Sequence, residues 1–306
     1  MVKTWSTPVT EEETRPVPCT LCGGTAFFPR FTCGENALPF RYVRCGKCGL
    51  VQINPQPGPA AVAVRYGSTE DKNSGCGGDY LAYERANEKS FLRLQELALD
   101  DAGFFDLEEK LLSPSAPPDP PGALHPPAAL DVGCATGALL ALLRDRGWAV
   151  RGLEISPPQA EYCRRRSLEV SALSLEQAAF PPENFDAILA SHLIEHLNDP
   201  GNFVREAYRI CKPGGRFYVT TPNIAGFQAR IFGSRWRSAI FDHLYLFSVK
   251  TLRALLEGAG FTVEKIRTWG GLAAGIAPGP VKSMADVLAK TLGAGDVMIL
   301  RAARRS

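Results

Sequence analysis

The chain has 306 residues, 45% of them hydrophobic, which is enough for one large domain and one small one. Its 34 lysines and arginines are balanced by 32 aspartates and glutamates, and the net charge of +2 argues against nucleic acid as a partner. No apolar run approaches the ~20 residues of a membrane span, and the N-terminus, Met1 to Trp5, lacks the apolar core of a secretion signal. We therefore expect a cytoplasmic protein with no membrane span.

Four of the nine cysteines form two C-x-x-C-G pairs, Cys19 with Cys22 and Cys45 with Cys48. The glycine of each pair lets the backbone turn toward metal-bound sulfur. Two such pairs joined by a hairpin provide the four thiolates of a tetrahedral, structural zinc site. A redox-active dithiol is the alternative, although two matched pairs fit a zinc ribbon better. The odd cysteine count argues against a disulfide framework.

The order of these features divides the chain into four regions. Leucine and phenylalanine interleave with charge over 80–99, which predicts a helix. Seven prolines within 112–127 exclude a helix or a central strand there. The expected regions are a flexible N-terminus over 1–16, a zinc ribbon over 17–55, a helical cap with a proline-rich linker over 56–127, and a main domain over 128–306.

From residue 128 onward, segments typical of strands alternate with segments typical of helices. This alternation predicts the α/β class, with a parallel sheet covered by helices on both faces. The predicted strands are 128–133, 149–154, 168–172, 185–190, 215–221, 261–268 and 295–302, and the predicted helices are 137–147, 157–166, 201–211 and 248–259.

The first predicted strand runs into a short loop that contains Gly133 and Gly137. Glycine lets the backbone approach a ligand that a Cβ atom would block. The second predicted strand ends in Glu154, whose carboxylate can accept hydrogen bonds from both hydroxyl groups of a ribose. A strand, a glycine loop, a helix and a second strand with a terminal acid form a nucleotide-binding βαβ unit.

An acid inside the first strand, Asp131, indicates which nucleotide is bound. It would repel a pyrophosphate but could hold a cationic amino group, and S-adenosylmethionine carries such a group with a ribose and no phosphate. The run Leu130-Asp-Val-Gly-Cys-Ala-Thr-Gly137 resembles motif I of the class I S-adenosylmethionine-dependent methyltransferases. Ala135 stands where many members have a glycine, and we expect it to be tolerated with a negative φ.

The resemblance continues in the family's order through residue 268. Glu154-Ile-Ser156 resembles the ribose-binding motif, Cys211-Lys-Pro-Gly-Gly215 resembles the turn before the fifth strand, and Asp242-His-Leu-Tyr-Leu-Phe-Ser248 recurs in a subgroup that acts on small molecules and glycans. It implies a Rossmann-like seven-stranded sheet with an antiparallel final strand, and cofactor-site residues near the carboxyl ends of the strands. The cofactor-binding residues that it implies are Asp131, Gly133, Cys134, Gly137, Glu154, Ile155, Leu175, Glu176 and Ser191, with Thr221 close by. For Glu176, a solvated helix residue is the alternative.

Three of the four histidines, His192, His196 and His243, lie near this expected site. On a helix, His192, Glu195 and His196 would share one face. The segment is related to the E-x-x-E-H motif with which ubiquinone-pathway O-methyltransferases and small-RNA 2′-O-methyltransferases hold a divalent metal, so a second metal is one interpretation. His192 or His243 could instead be a general base for a substrate hydroxyl. A structural role is the alternative for each histidine.

Three arginines, Arg230, Arg235 and Arg237, flank Trp236 after the fifth predicted strand. Arginine beside an aromatic ring suits a phosphate, a nucleotide sugar or an acidic glycan. A solvated loop anchored by the tryptophan is the alternative.

These features predict a methyltransferase with a structural zinc ribbon that methylates an oxygen of a small molecule or glycan, with or without a phosphate group. The ribbon and the helix over 80–99 are expected to cap the cofactor cleft. The alternatives are a sugar C-methyltransferase, an RNA or protein methyltransferase that grips its substrate with the ribbon, and a non-enzymatic cofactor-binding protein. Nucleic acid is the less favoured partner, and the oligomeric state stays open.

Overall fold

A computed structural model of the chain describes residues 14–33, 40–58, 77–113, 126–271, 284, 287 and 289–305, with no side chains for 77–80. The expected flexible N-terminus up to residue 13 and residues 114–125 of the expected linker lie outside these described residues. The strands are β1 (Thr14–Arg15), β2 (Phe27–Cys33), β3 (Phe40–Cys45), β4 (Val51–Ile53), β5 (Gln56–Pro57), β6 (Ala128–Val132), β7 (Ala149–Leu153), β8 (Val170–Ser171), β9 (Phe185–Ser191), β10 (Cys211–Pro222), β11 (Tyr245–Leu246), β12 (Thr262–Trp269) and β13 (Val297–Ala303). The α-helices are α1 (Gly77–Ala102), α2 (Phe104–Leu112), α3 (Ala138–Asp145), α4 (Pro157–Arg165), α5 (Pro200–Ile210), α6 (Phe227–Phe232) and α7 (Val249–Gly258).

Seven strands form a central sheet in the order β12-β13-β10-β9-β6-β7-β8. Strands β6 to β10 are parallel to their neighbours within that group, whereas β13 runs antiparallel to both β10 and β12. The expected α/β class and Rossmann-like seven-stranded sheet are therefore confirmed. Residues 211–215 were expected as a turn, but they belong to β10, where the pairing with β9 shifts register between Cys211 and Arg216.

Local signals explain where the crossover helices begin. Helix α5 starts with Pro200, and the side chain of Asp199 accepts a hydrogen bond of 2.8 Å from the backbone N–H of Asn202. Helix α7 starts with a capping box between Ser248 and Thr251. Both helices bury an apolar face in the core beside the sheet, so that the strands between them are fixed in place.

A second sheet joins the cysteine-rich N-terminal segment to the main domain. It has four strands in the order β11-β4-β3-β2, and its strand β11 comes from the region beyond residue 128. Tyr245 pairs with Gln52 and Leu246 pairs with Val51, in antiparallel register. The cysteine-rich N-terminal segment is therefore continuous with the main domain through backbone hydrogen bonds.

Helices α1 and α2 cover one face of the central sheet. Leu99 at the end of α1 belongs to the same buried cluster as Leu139 and Tyr218. Glu108 of α2 is buried and accepts hydrogen bonds from the ring N–H of Trp148, at 2.8 Å, and from the guanidinium of Arg146, at 2.9 Å. None of the helices that the structure describes combines the length and apolar character needed to cross a membrane.

Candidate functional site

A cavity of about 1020 Å³ opens at the edge of the central sheet where the parallel strands end. Ligand pockets usually measure about 300–1000 Å³, so this cavity has room for a cofactor and a second molecule. Its wall includes the loops after β6, β7 and β9 and one side of α1. The expected helical cap is thus part of the wall, whereas none of the described residues of 17–55 lines the cavity. The N-terminal sheet instead packs against the loop over 238–243, because β11 extends it in that direction.

The loop after β6 is bent by alternate residues with left-handed backbone, at positions 133, 135 and 137. Gly133 has φ 75° and its N–H donates to the carbonyl of Leu153 at 2.7 Å. Ala135 has φ 48°, so our expectation of a negative φ was wrong. The loop forces this conformation because the N–H of Ala135 donates to Oε2 of Glu154 at 3.0 Å and its carbonyl accepts from the thiol of Cys163 at 3.2 Å. A left-handed alanine costs about 1–2 kcal/mol, so the loop is strained.

Glu154 directly follows β7 and lines the cavity, with only 7% of the residue exposed. Its two oxygens accept backbone hydrogen bonds from Ala135, at 3.0 Å, and from Ser156, at 2.9 Å. Burial raises the pKa of Glu154, and these two backbone donors oppose the rise. The carboxylate is fixed in direction and keeps lone pairs for a ligand in the cavity.

Two predicted cofactor residues lie behind the cavity wall. Asp131 is 2% exposed, and burial together with the charge of Glu154 raises the pKa of Asp131 to about 7. Gly137 begins α3, where an added Cβ atom would come within 2.5 Å of Leu168 and 3.0 Å of the Cys163 sulfur. Neither Asp131 nor Gly137 lines the cavity. Gly137 is therefore explained by close packing of the helix.

The other predicted cofactor residues do line the cavity. They are Gly133, Cys134, Glu154, Ile155, Leu175, Glu176 and Ser191. Glu176 lies exposed in a turn, and the expected neighbour Thr221 is fully buried outside the wall.

Residues that the sequence analysis missed complete this end of the cavity. Glu84 and Glu88 line it from α1, and Gln159 lines it from α4. The side-chain nitrogen of Gln159 is buried and has no hydrogen-bond partner among the described residues. The wall therefore combines the amide donor of Gln159, the carboxylate of Glu154 and the backbone of Gly133, which has no Cβ. A donor, a ribose-binding carboxylate and a closely approachable backbone fit S-adenosylmethionine. The only sequence signal for Gln159 was its place in the helix after the acidic strand end.

Glu195, His196 and His243 form a cluster whose ligand atoms all lie within 4.8 Å of one another. Glu195 is completely buried, and its Oε2 accepts a hydrogen bond of 2.9 Å from Thr221. Its Oε1 has no hydrogen-bond partner among the described residues, although Nδ1 of His192 lies 3.4 Å away. Burial raises the pKa of Glu195, but the neighbouring His192 and His196 lower it to about 2.

The two histidine rings of the cluster meet edge to face, with centroids 4.8 Å apart. Nδ1 of His196 lies 2.9 Å from the carbonyl oxygen of Asp242, and Nδ1 of His243 lies 2.8 Å from that of Ser238. These contacts engage Nδ1 of each ring, so Nε2 is the ring atom that would coordinate a metal. Burial and the nearby His196 lower the pKa of His243 to about 3, so its ring is neutral at neutral pH.

The prediction that His192, Glu195 and His196 share one face of a helix was wrong. The turn is a short 3₁₀ helix, Ile194–His196, and His192 precedes it with φ 52° and a half-exposed side chain on the cavity wall. The N–H of His192 pairs with the carbonyl of Thr220 at 2.8 Å, which holds this unusual backbone. His243 takes the third place in the cluster because the loop over 238–243 folds against the 3₁₀ turn.

The four cysteines of the two C-x-x-C pairs also come together. The sulfur of Cys19 lies 3.4 Å from that of Cys48, and the sulfur of Cys22 lies 3.5 Å from that of Cys45. Four thiolates on one zinc ion, with bonds of about 2.3 Å, would lie about 3.8 Å apart, so the cluster is compatible with zinc. Burial raises the pKa of Cys45, but backbone N–H groups of Cys48 and Lys47 lower it to about 6.

The three predicted arginines are separated by the fold. Arg230 and Arg235 are exposed and lie outside the cavity wall, whereas Arg237 lines it. The Nε of Arg237 donates to Asp296 at 2.8 Å, and the indole N–H of Trp236 donates to the other oxygen of Asp296 at 2.5 Å. Asp296, which no sequence motif indicated, is completely buried directly before β13.

The N-terminal sheet holds the loop that carries His243. The hydroxyl group of Tyr42 lies 2.8 Å from the carbonyl oxygens of both Ile240 and His243. The rings of Phe40 and Phe241 pack edge to face, 5.3 Å apart. No sequence pattern linked Tyr42 to this loop.

The sequence of this chain is similar to those of known proteins. The profile of a family described as "Methyltransferase domain" matches residues 106–266, just over half of the chain. The chain belongs to the class I S-adenosylmethionine-dependent methyltransferases. This methyltransferase thus has the fold and the family expected from its sequence motifs.

Two curated relatives extend the comparison. A "Probable S-adenosylmethionine-dependent methyltransferase" of Mycolicibacterium smegmatis is 32% identical over 139 residues, which cover 44% of this chain and 52% of the relative. A "Ubiquinone biosynthesis O-methyltransferase" of Xanthomonas axonopodis pv. citri is 29% identical over 155 residues, which cover 45% of this chain and 63% of the relative. The methyltransferase thus spans little more than half the length of these relatives.

A solved structure supports the fold alone. A S-adenosylmethionine-dependent methyltransferase from Archaeoglobus fulgidus aligns with a TM-score of 0.50 and 18% identity, covering 72% of this chain and 99% of that one.

Proposed function

We propose that this methyltransferase transfers a methyl group from S-adenosylmethionine to a hydroxyl oxygen of a small molecule or saccharide. The observation that carries the proposal is one cavity with two differently equipped ends. Glu154 and Gln159, whose amide nitrogen has no partner among the described residues, line one end, and His196 and His243 line the other, with buried Glu195 in contact distance behind them. The Xanthomonas relative is named as an O-methyltransferase, which agrees with oxygen as the acceptor atom.

At the cofactor end, Glu154 would accept the ribose hydroxyl groups while its two backbone hydrogen bonds keep the carboxylate aligned. Leu175 and Ile155 would contact the adenine, and Glu176 and Ser191 would border it. The acidic side chains of this end, with Glu84 and Glu88, suit a cationic ligand. Bound here, S-adenosylmethionine supplies a methyl group on a positively charged sulfur, which an aligned nucleophile displaces in line.

At the acceptor end, Glu195, His196 and His243 would hold a divalent cation. Oε1 of Glu195, which has no hydrogen-bond partner among the described residues, and a ring nitrogen each of His196 and His243 would supply three ligands, which would leave further positions for substrate oxygens. Such a cation lowers the pKa of a hydroxyl group bound to it. His192, half exposed on the wall, could then take up the proton that the hydroxyl loses.

We also propose that the N-terminal segment is a zinc ribbon with Cys19, Cys22, Cys45 and Cys48 as ligands. Their sulfur separations support a structural, four-thiolate site. The ribbon supports the acceptor end from behind through its contacts with the loop over 238–243.

Calorimetric titration with S-adenosylmethionine tests the cofactor end. Glu154→Ala should abolish the binding that the unchanged chain shows, because it removes the ribose acceptor and the hydrogen bond that holds Ala135 of the loop after β6. Glu161→Ala, which changes an exposed acid outside the cavity, is the matched control. Normal binding by Glu154→Ala would contradict the assignment.

Methyl-labelled S-adenosylmethionine tests the acceptor class. The label should enter the small-molecule fraction of a cell extract, and NMR of the product should show it on oxygen. Glu195→Gln should bind the cofactor normally but transfer less label. Label confined to RNA or protein, or found on carbon, would overturn the proposal.

A further inference from the structure

Arg237 has one edge held by a buried acid and the other free. Its Nε donates to Oδ2 of Asp296 at 2.8 Å, while 55% of its side chain stays exposed on the cavity wall. Among the described residues, its two terminal nitrogens have no partner. These two nitrogens carry four N–H groups in one plane. This planar pair of donors, the fork of the guanidinium, can bind two oxygens of one carboxylate or phosphate.

Asp296 fixes the direction of this fork. Its side chain is completely buried, and the indole N–H of Trp236 occupies its other oxygen at 2.5 Å. Its backbone is held at both sides, by the carbonyl of Gly270 at 2.9 Å and the N–H of Asn223 at 2.8 Å. The acid therefore cannot swing out to follow the arginine. A guanidinium held in this way loses little conformational freedom when it binds an anion.

The position of Arg237 assigns it to the acceptor and not to the cofactor. Strand β13, which begins directly after Asp296, is separated by β10, β9 and β6 from β7, which ends directly before Glu154. Four spacings of about 4.8 Å put these strands about 19 Å apart across the sheet. Ile240, Asp242 and His243, which follow Arg237 by three to six residues in the chain, also line the cavity, so we place the free fork on the same side as the cluster.

We propose that Arg237 selects an acceptor with an anionic group, a carboxylate or a phosphate, and holds that group while a hydroxyl of the same molecule faces the Glu195–His196–His243 cluster. The proposal rests on the proposed O-methyltransferase function and adds the charge of its substrate. Trp236 and Asp296 are positioning residues, since they act through the guanidinium. Asp242 lines the same cavity and is only partly buried, so an anion bound there has to pair with Arg237.

Calorimetric titration of the full chain, saturated with S-adenosylhomocysteine and without added divalent metal, tests the proposal. The probes are inorganic phosphate and, in a separate arm, benzoate. The unchanged protein should bind at least one probe at a single site, and the arm that binds tells phosphate from carboxylate. Arg237→Gln should weaken that binding at least about tenfold, the loss of a charge-assisted pair of hydrogen bonds. Arg230→Gln, which changes an exposed arginine outside the cavity, should leave it unchanged.

Arg237→Lys separates a loss of anion binding from a folding defect. Lysine keeps the positive charge beside buried Asp296 but lacks the planar pair of donors. The variant should melt within a few degrees of the unchanged protein and still bind the probe several-fold more weakly. Equal probe binding by the unchanged protein, Arg237→Gln and Arg237→Lys, or no binding of either probe, would overturn the proposal. Failure to bind S-adenosylhomocysteine is a separate readout, since it would count against the proposed function and not against the anion site.

Discussion

The hydroxyl group of Tyr42 lies 2.8 Å from the backbone oxygen of His243, 201 positions away in the chain. It lies equally close to the backbone oxygen of Ile240. One phenol at 0% exposure thus ties the N-terminal sheet to the loop that carries a proposed metal ligand.

Tyr42→Phe should therefore loosen the loop without emptying the zinc site. It removes the one hydroxyl hydrogen that the carbonyl groups of Ile240 and His243 share, which should lower the free energy of unfolding by about 1–3 kcal/mol. Affinity for Mn²⁺ should fall because His243 loses its support, whereas S-adenosylmethionine affinity should not change. Urea denaturation and calorimetry measure these effects. Tyr83→Phe, at an exposed tyrosine, is the control, and unchanged Mn²⁺ affinity in Tyr42→Phe would show that the contact does not position His243.

Ala135→Gly should stabilise the protein although it shortens a side chain. The substitution relieves a left-handed alanine, worth about 1–2 kcal/mol, against the extra freedom that glycine gives the unfolded chain. The expected net gain is about 0.5–1 kcal/mol in urea denaturation.

The matched control is Gly214→Ala, at a glycine with φ 78° and open space around a new Cβ atom. It should destabilise by about 1 kcal/mol through backbone strain alone. A loss of stability in Ala135→Gly would mean that the loop does not impose the strained conformation in solution.

Metal analysis should find one zinc ion per chain after exhaustive dialysis, and Cys45→Ser should remove it. Chelation should also increase amide hydrogen exchange at Tyr245 and Leu246, because they pair with β4 in the sheet that the zinc site supports. The amide of Leu153 in the central sheet serves as the internal reference. Exchange that is unchanged at β11 after loss of zinc would separate the metal from the fold of this sheet.

Asp131 should make stability fall with rising pH. Its pKa is raised in the folded protein to about 7, so between about pH 4 and 7 the folded state binds more protons than the unfolded state. This contribution is complete below pH 4 and is lost as the pH rises through 7. Comparison with Asp131→Asn isolates it: the difference in unfolding free energy should shrink by up to about 1.4 kcal/mol per pH unit over this window. A difference that is constant with pH would show that the carboxyl group titrates normally.

The central sheet was predictable because its signals are local. The strand expected over 128–133 is Ala128–Val132, and that expected over 149–154 is Ala149–Leu153. Each of these segments combines an apolar run with a boundary residue, so neighbouring residues suffice to define it. The turn predicted at 211–215 was wrong because Cys211 pairs with β9, which places this segment in a strand although Gly214 and Gly215 favour a turn.

The candidate site was predictable only where its residues follow strands directly. Glu154 and Ser191 reach the cavity because parallel strands end at one edge. His243, Asp296 and Tyr42 meet their partners through long loops and a shared second sheet, and no periodic pattern encodes such contacts. The helical interpretation of 192–196 was wrong for the same reason, since tertiary contacts with Thr220 and Asp242 set that backbone.

The four-stranded sheet has a consequence for shuffling parts between relatives. A chain cut to begin at residue 126 would keep every strand of the central sheet, yet it would leave Tyr245 and Leu246 with an unpaired, apolar edge. Such edges pair with other molecules, so the fragment should aggregate. The acceptor loop and the N-terminal segment therefore have to be transplanted, and inherited, as one piece despite lying almost two hundred residues apart.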